Sequence, residues 1–266
     1  HMILEEGPEH STATEGSTTS APARESHVIA LSADSAAALQ GVKDELTKFL
    51  SSSAAQLADV AYTLQVGRTQ FAQHRLALTA RSKQEAVIGL QKASVTEWPD
   101  ATGAEVVMVF PGQGAQHVNL SLGLYREEPG YRSLLDKVLD LFEERLGYRL
   151  QQCLFPAAAD DSSDLDSSTL NAQCVLFCVE WAMASLWLEW GIRPRLLVGH
   201  SIGEIVAATL SGVFGLEDAV TVVVARGRAM QTAATGAMVS VDMTAEEAKQ
   251  LADKTEGLHV AANNSP

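Results

Sequence analysis

Leu196-Leu197-Val198-Gly199-His200-Ser201-Ile202-Gly203-Glu204 is the stretch on which the reading of this chain turns. A short apolar run leads into Gly-x-Ser-x-Gly, and an amphipathic run follows. That order predicts a strand, a sharp turn and a helix over Ile202 to Ser211. A serine at such a turn is pushed out of the backbone toward solvent. The flanking glycines let strand and helix come close without Cβ clashes. The helix start adds a positive dipole end and free N–H groups where an oxyanion would form. Gly and Ser are common, so the pentapeptide alone also fits a chance turn. The strand before it and the helix after it favour a nucleophile elbow with Ser201 as the nucleophile.

Upstream, Glu105-Val106-Val107-Met108-Val109-Phe110 is an apolar run of strand length that stops at Pro111-Gly112-Gln113-Gly114-Ala115-Gln116. Alone it reads as a strand-ending turn. Beside a serine elbow, the two glycines around Gln113 make it a candidate second oxyanion donor, because they allow a ligand to approach main-chain N–H groups. Between and beyond these motifs the pattern predicts a helix over Gly130 to Leu146, an acidic loop over Asp160 to Asp166, and a long helix over Leu170 to Trp190. A strand over Leu196 to Val198 and helices over Ile202 to Ser211 and Leu216 to Thr232 follow. Strands alternating with helices indicate an α/β fold with a parallel sheet. A ligand then belongs at the carboxyl ends of the strands, where Gln113 and Ser201 fall. After Gly236 a β-α-β run is expected: Ala237 to Asp242, Ala245 to Lys254 and Leu258 to Ala262.

Toward the N-terminus, Glu5 to Ser26 is rich in Ser, Thr, Ala, Glu and Pro without periodicity and reads as a flexible linker. His27 to Ala33 predicts a strand, Asp34 to Ser51 and Leu57 to Val66 two helices, Phe71 to Ala80 a strand. Ser82 then caps a helix to Lys92, with Glu85 three residues on. This small α/β unit carries no catalytic constellation, so its expected role is structural. The division expected is a linker over 1–26, the small unit over 27–100, a large subdomain over 101–235 and a further small one over 236–266.

At 266 residues and 46% hydrophobic content the chain can bury a sizeable core. A net charge of −14 argues against a nucleic-acid surface. Cys153, Cys174 and Cys178 give no disulfide framework; Cys174 and Cys178 read as core thiols of one helix, and a reducing cytoplasm fits. The most apolar stretch, Cys174 to Trp190, is broken by Glu180 and Glu189, so it reads as a buried helix and not a membrane span. No signal segment is recognised.

Phe110 to Gly114, Thr169-Leu170-Asn171-Ala172-Gln173, Gly199 to Glu204, Ala225-Arg226-Gly227-Arg228-Ala229-Met230 and Asn264-Ser265-Pro266 fall in order along the chain. Together they resemble the acyltransferase domain of type I polyketide synthases and the malonyl-CoA:acyl-carrier-protein transacylases. The small unit, down to Leu64-Gln65-Val66-Gly67-Arg68, is similar to the linker domain between ketosynthase and acyltransferase. Ile3 to Pro8 resembles the end of a ketosynthase domain.

The resemblance implies a hydrolase-like large subdomain and the first half of a ferredoxin-like small one. It implies that malonyl-CoA acylates Ser201 and that the acyl group passes to the phosphopantetheine thiol of an acyl carrier protein. The oxyanion hole would use backbone N–H groups of Gln113 and Ile202. Arg226 would grip the malonyl carboxylate with two parallel bonds, as a planar guanidinium can. Periodicity does not choose between Arg226 and Arg228; the family's spacing from Ser201 selects Arg226. His200, adjacent to the nucleophile at a turn where neighbours diverge, is not placed to be its base and would take a supporting hydrogen-bond role at the substrate site; Gln173 would line the pocket or sit on a helix edge, and Asn264 would orient the base. The base itself is a histidine that the family places after the Asn-x-Pro segment, and the other histidines here match no family position.

A second polypeptide carrying the rest of the acyltransferase is therefore expected, along with a ketosynthase in the parent protein. No metal and no permanently bound cofactor is implied. An acidic carrier protein would have to dock on a local basic patch. The resemblance also implies malonyl over methylmalonyl, because Ile202 and the Thr169–Gln173 segment are similar to those of malonyl-using members. The rival readings are an α/β-hydrolase such as a thioesterase, with water as acceptor, and a catalytically incomplete fragment.

Overall fold

The computed structural model describes residues 24–97, 105–157, 165, 167–233 and 236–263. The expected linker up to residue 23, most of the acidic loop and Asn264 lie outside the described residues. The chain falls into two compact units, His1–Gln231 and Thr232–Pro266.

The first unit holds two separate cores. In β1 (His27–Ala33) side chains alternate, and Ile29, Leu31 and Ala33 are buried. Its full length pairs antiparallel with β2 (His74–Ala80), Ile29 opposite Leu78. A two-residue β3 (Thr96–Glu97) adds to β2. Helices α1 (Ala36–Ser52), α2 (Leu57–Val66) and α3 (Lys83–Lys92) bury Leu39, Leu46, Leu50, Val60 and Leu90 in the same core. At the start of α3 the Ser82 hydroxyl accepts from the Glu85 N–H at 3.1 Å, while the Glu85 carboxylate accepts from the Arg81 N–H at 2.7 Å. The cap is therefore made, with its return bond one residue earlier than a capping box has it.

The second core underlies a parallel pair, β4 (Val106–Phe110) and β5 (Pro194–Gly199), in register from Val107 opposite Leu196 to Phe110 opposite Gly199. Its helices are α4 (Leu122–Glu127), α5 (Pro129–Leu146), α6 (Leu150–Leu154), α7 (Thr169–Glu189), α8 (Ile202–Leu210) and α9 (Leu216–Thr232). Helix α5 starts on Pro129 and stops at Gly147, whose φ of 81° closes the last turn.

Helix α7 is the spine. Its apolar residues do not keep to one side, and most of it is buried, so its length and hydropathy reflect a core position. Phe177 meets Phe142 edge-on at 5.8 Å. Cys153, Cys174 and Cys178 are buried and unbridged; burial pushes the Cys174 thiol up to about 12 and Cys178 well above its ordinary value.

In the second unit the expected helix forms as α10 (Ala245–Lys254), with a full capping box between Thr244 and Glu247. The two flanking strands do not form. Ala237–Asp242 and Leu258–Ala262 make no ladder among the described residues. Residues of both segments line one cavity of about 370 Å³, among them Val239, Val241, Val260 and Ala262. Alternation made each a good strand sequence, but a strand exists only through a neighbour in register, and among the described residues neither segment has one.

Candidate active site

The elbow is built by close approach. A Cβ on Gly199 would collide with the backbone of Gly203, and a Cβ on Gly203 with the carbonyl of Phe110. Only glycine at both positions lets α8 sit on the ends of β4 and β5. Ser201 takes φ 56°, ψ −114°, outside the left-handed helical well that Asn119 and Ser121 approach at φ 62° and 65°. A serine held there stores strain, of order 1–3 kcal/mol, that the surrounding packing must maintain. Ile202, fully buried, anchors the helix start behind it.

Two helices bring the polar partners. Helix α9 buries Ala219, Val220, Val223, Val224 and Gly227, and a Cβ on Gly227 would overlap Leu170 of α7. That contact lays Arg226 against α7. One arm of the Arg226 guanidinium donates to Ser201 Oγ at 2.9 Å and another to Gln173 Oε1. Gln173 is 1% exposed, and its Nε2 contacts Met230 Sδ at 3.1 Å. Gln173 is therefore buried beside Arg226, not on an exposed helix edge. Arg228, by contrast, donates to the carbonyl of Arg145 at 3.1 Å. The geometry thus separates two arginines that periodicity left equal. Next to this group, Asn171 accepts from Tyr148 and donates to Cys153 Sγ at 3.6 Å.

Because Phe110 lies opposite Gly199, the Gln113 turn and the Ser201 turn leave the same end of the sheet side by side. His200 ties them. Its backbone N–H donates to the Phe110 carbonyl at 3.0 Å, and its ring lies where a Cβ on Gly112 would be. Gln113 is exposed, and the next residue, Gly114 at φ 117°, gives its N–H to Gln116 Oε1 at 2.7 Å. His117 is exposed and its Nδ1 faces the Val118 carbonyl. Among the described residues no histidine hydrogen-bonds Ser201, so no base is paired with it there. Met230 and Tyr148 were not foreseen as neighbours of the site; the helical spacing Arg226 to Met230 is the one signal that could have found Met230.

A half-buried, strained hydroxyl, a guanidinium touching it and a pair of adjacent turns can hold an acyl group that ends in a carboxylate. Comparison with known proteins points the same way. Residues 107–266 match the acyl transferase domain family, and residues 27–90 match the family described as CurL-like, PKS C-terminal. The chain belongs to the acyl transferase domain family, of the kind found in polyketide synthases.

Among its relatives, a phenolphthiocerol/phthiocerol polyketide synthase of Mycobacterium tuberculosis is 36% identical over 265 residues, 94% of this chain and 17% of that protein. Orsellinic acid synthase armB of Armillaria mellea is 31% identical over 255 residues, 90% of this chain and 11% of that protein. The solved acyl transferase domain of ZmaA superposes with a TM-score of 0.81 at 32% identity, covering 88% of this chain and 55% of that one. The chain thus spans about half the length of that solved domain and a small fraction of the synthases.

Proposed function

We propose that this domain moves a malonyl-type extender unit from CoA to an acyl carrier protein through an ester on Ser201. The observation that carries the reading is the 2.9 Å bond from Arg226 to Ser201 Oγ, with Gln173 holding another arm of the same guanidinium. Ser201 Oγ attacks the thioester carbonyl, and its proton leaves with the CoA thiol. The phosphopantetheine thiol of the carrier then attacks the ester, and Ser201 recovers its proton. Backbone N–H groups of Ile202 and Gln113 receive the oxyanion. The malonyl carboxylate takes the Arg226 arm that rests on Ser201 in its absence, which frees the hydroxyl as the correct acyl group arrives. His200 supports the two turns, and Asn264 orients the base.

The base comes from polypeptide beyond these residues. The upper face of the β4–β5 pair supports that reading: Val107, Val109, Leu196 and Val198 are exposed, Val109 by 69%, whereas parallel sheets are covered on both faces. A second polypeptide, or the continuation of the same one, packs there and against the extended segments around α10. In the parent protein a ketosynthase precedes the 27–100 unit. Three unbridged buried thiols suit a reducing cytoplasm.

Exposure to malonyl-CoA followed by peptide mapping tests the reading: the adduct belongs on Ser201. Following CoA release with and without carrier protein separates transfer from hydrolysis. Release that ignores the carrier means that water is the acceptor.

A further inference from the structure

Helix α9 meets helix α7 along two rows of its own surface. Residues four apart on a helix are neighbours on one face, so Arg226 and Met230 form one row and Gly227 and Gln231 the next. The first row holds Gln173: Arg226 donates to its Oε1, and its Nε2 contacts Met230 Sδ at 3.1 Å. The second row holds Leu170, three residues earlier on α7. Gly227 packs on Leu170 so closely that a Cβ there would overlap it, and Gln231 Oε1 accepts from the Leu170 N–H at 3.2 Å.

The Gln231 bond falls where α7 needs a partner. The first N–H groups of a helix have no carbonyl within the helix. The N-cap side chain serves one of them, and here Ser168 Oγ accepts from the Asn171 N–H at 3.2 Å. The Leu170 N–H takes its acceptor from α9 instead. The Ser168 hydroxyl gives its own proton to the same Gln231 Oε1 at 3.1 Å. One amide oxygen thus ties the N-cap and first turn of α7 to the last turn of α9. Gln173, the group that holds Arg226, lies three residues beyond Leu170. Gln231 is exposed, so it adds nothing to the core; what it fixes is the register of the two helices.

We propose that Gln231 is a positioning residue for acyl selection: it locks the first turn of α7 to α9 and, through Gln173, holds the Arg226 guanidinium where it meets a carboxylate-bearing acyl group on Ser201. A two-bonded grip on a carboxylate must meet both oxygens at once, and a small misplacement of a binding group costs rate steeply. An acyl group without a carboxylate makes no such demand, so Gln231 weighs on malonyl transfer more than on acetyl transfer. The proposal rests on the reading that Arg226 receives the malonyl carboxylate.

The test uses the acyltransferase with its remaining polypeptide present and measures kcat/KM for malonyl-CoA and acetyl-CoA. Gln231→Ala should lower the malonyl-to-acetyl ratio at least five-fold. Gln231→Glu keeps an acceptor oxygen at the same reach, and a negative charge suits a helix start, so its ratio should stay within two-fold of wild type. Gln231→Lys has no acceptor and should behave as the alanine variant does. In an Arg226→Ala background Gln231→Ala should change the ratio less than two-fold, because the two residues act as one unit. Independently of substrate, Gln231→Ala should speed exchange of the Leu170 amide at least ten-fold and shift the Nε–H resonance of Arg226. An unchanged ratio in Gln231→Ala, a glutamate variant as poor as alanine, an undiminished effect without Arg226 or an unaltered Leu170 amide would each overturn the proposal. Equal losses for both acyl groups, or a Gln231→Ala chain that fails to fold, would make Gln231 a plain helix cap and overturn it as well. If Arg226→Ala itself leaves the ratio unchanged, the proposed activity falls on its own. The Arg226 resonance then decides the rest: shifted in Gln231→Ala, it upholds the positioning role, and unshifted, it overturns that too.

Discussion

Helices α7 and α10 are opposite cases. Helix α10 has the stronger local instructions: a reciprocal capping box, acidic residues in its first turn, Lys254 in its last, and apolar and polar residues on separate faces. It buries none of its residues. Helix α7 has little separation of faces, but twelve of its residues are buried, Asn171 and Gln173 among them. Local signals make a helix; burial gives it an address. Polar groups can be aimed only from a helix that cannot shift, which is why the site's fixed side chain, Gln173, comes from α7.

The sharpest way to break this contrast is to remove volume from each helix. Phe177→Ala should cost about 3–5 kcal/mol, the range for a fully buried aromatic, and Leu251→Ala on α10 at most roughly 0.5 kcal/mol. Urea unfolding measures both, and equal losses would mean that α10 is packed after all. Next in size is Arg226→Ala, which removes one partner of a desolvated charge pair and should cost about 2–4 kcal/mol in malonyl transfer. Acetyl transfer should fall far less. Arg228→Ala, which loses a bond to a backbone carbonyl outside the site, should be mild. A comparable loss for both acyl groups would assign Arg226 to structure.

Smaller is Thr244→Ala. Loss of that cap should cost α10 about 1 kcal/mol, visible as faster amide exchange over Ala245–Lys254 and as little change in the global unfolding midpoint. A shift of the whole transition would tie α10 to the main core. Smallest is the pH trend from Glu180. Its carboxyl is held protonated up to about 8 against an ordinary 4.5, so the folded chain keeps a proton that the unfolded chain releases between those values. Stability from this group is therefore present at pH 4.5 and falls as pH rises toward 8. Glu180→Gln should flatten that part of the profile; an unchanged profile would show that Glu180 is already ionised and partnered.

Where burial and periodicity agreed, the elements were legible. Helix α2 ends at Gly67 and α9 starts at Leu216 as the spacing predicts, and the parallel β4–β5 pair with its elbow followed from two apolar runs and their glycines. The misses have physical reasons. A two-residue β3 and the short α4 and α6 are too brief to show a period. The strands predicted around α10 had the right alternation, but strand formation needs a neighbour that the sequence pattern does not supply. At the site, Ser201 was singled out by the strand–turn–helix pattern around it and Arg226 by the family's spacing, whereas the bonds of Arg226 to Gln173 and of Arg228 to a backbone carbonyl required three dimensions. Glu180 was read only as a charge that interrupts an apolar run; nothing in the sequence signals that its buried carboxyl lacks a donor.

The central claim is that a carboxylate-bearing acyl group is held by Arg226 on Ser201. The direct measurement is a competition on the acyltransferase with its remaining polypeptide present: equal malonyl-CoA and acetyl-CoA, intact mass, then peptide mapping. The account predicts a malonyl adduct on the Ser201 peptide in large excess over acetyl, lost in Ser201→Ala and shifted toward acetyl in Arg226→Ala. Equal loading of the two acyl groups by the wild type, or an adduct on Ser211 or on a cysteine, would contradict it.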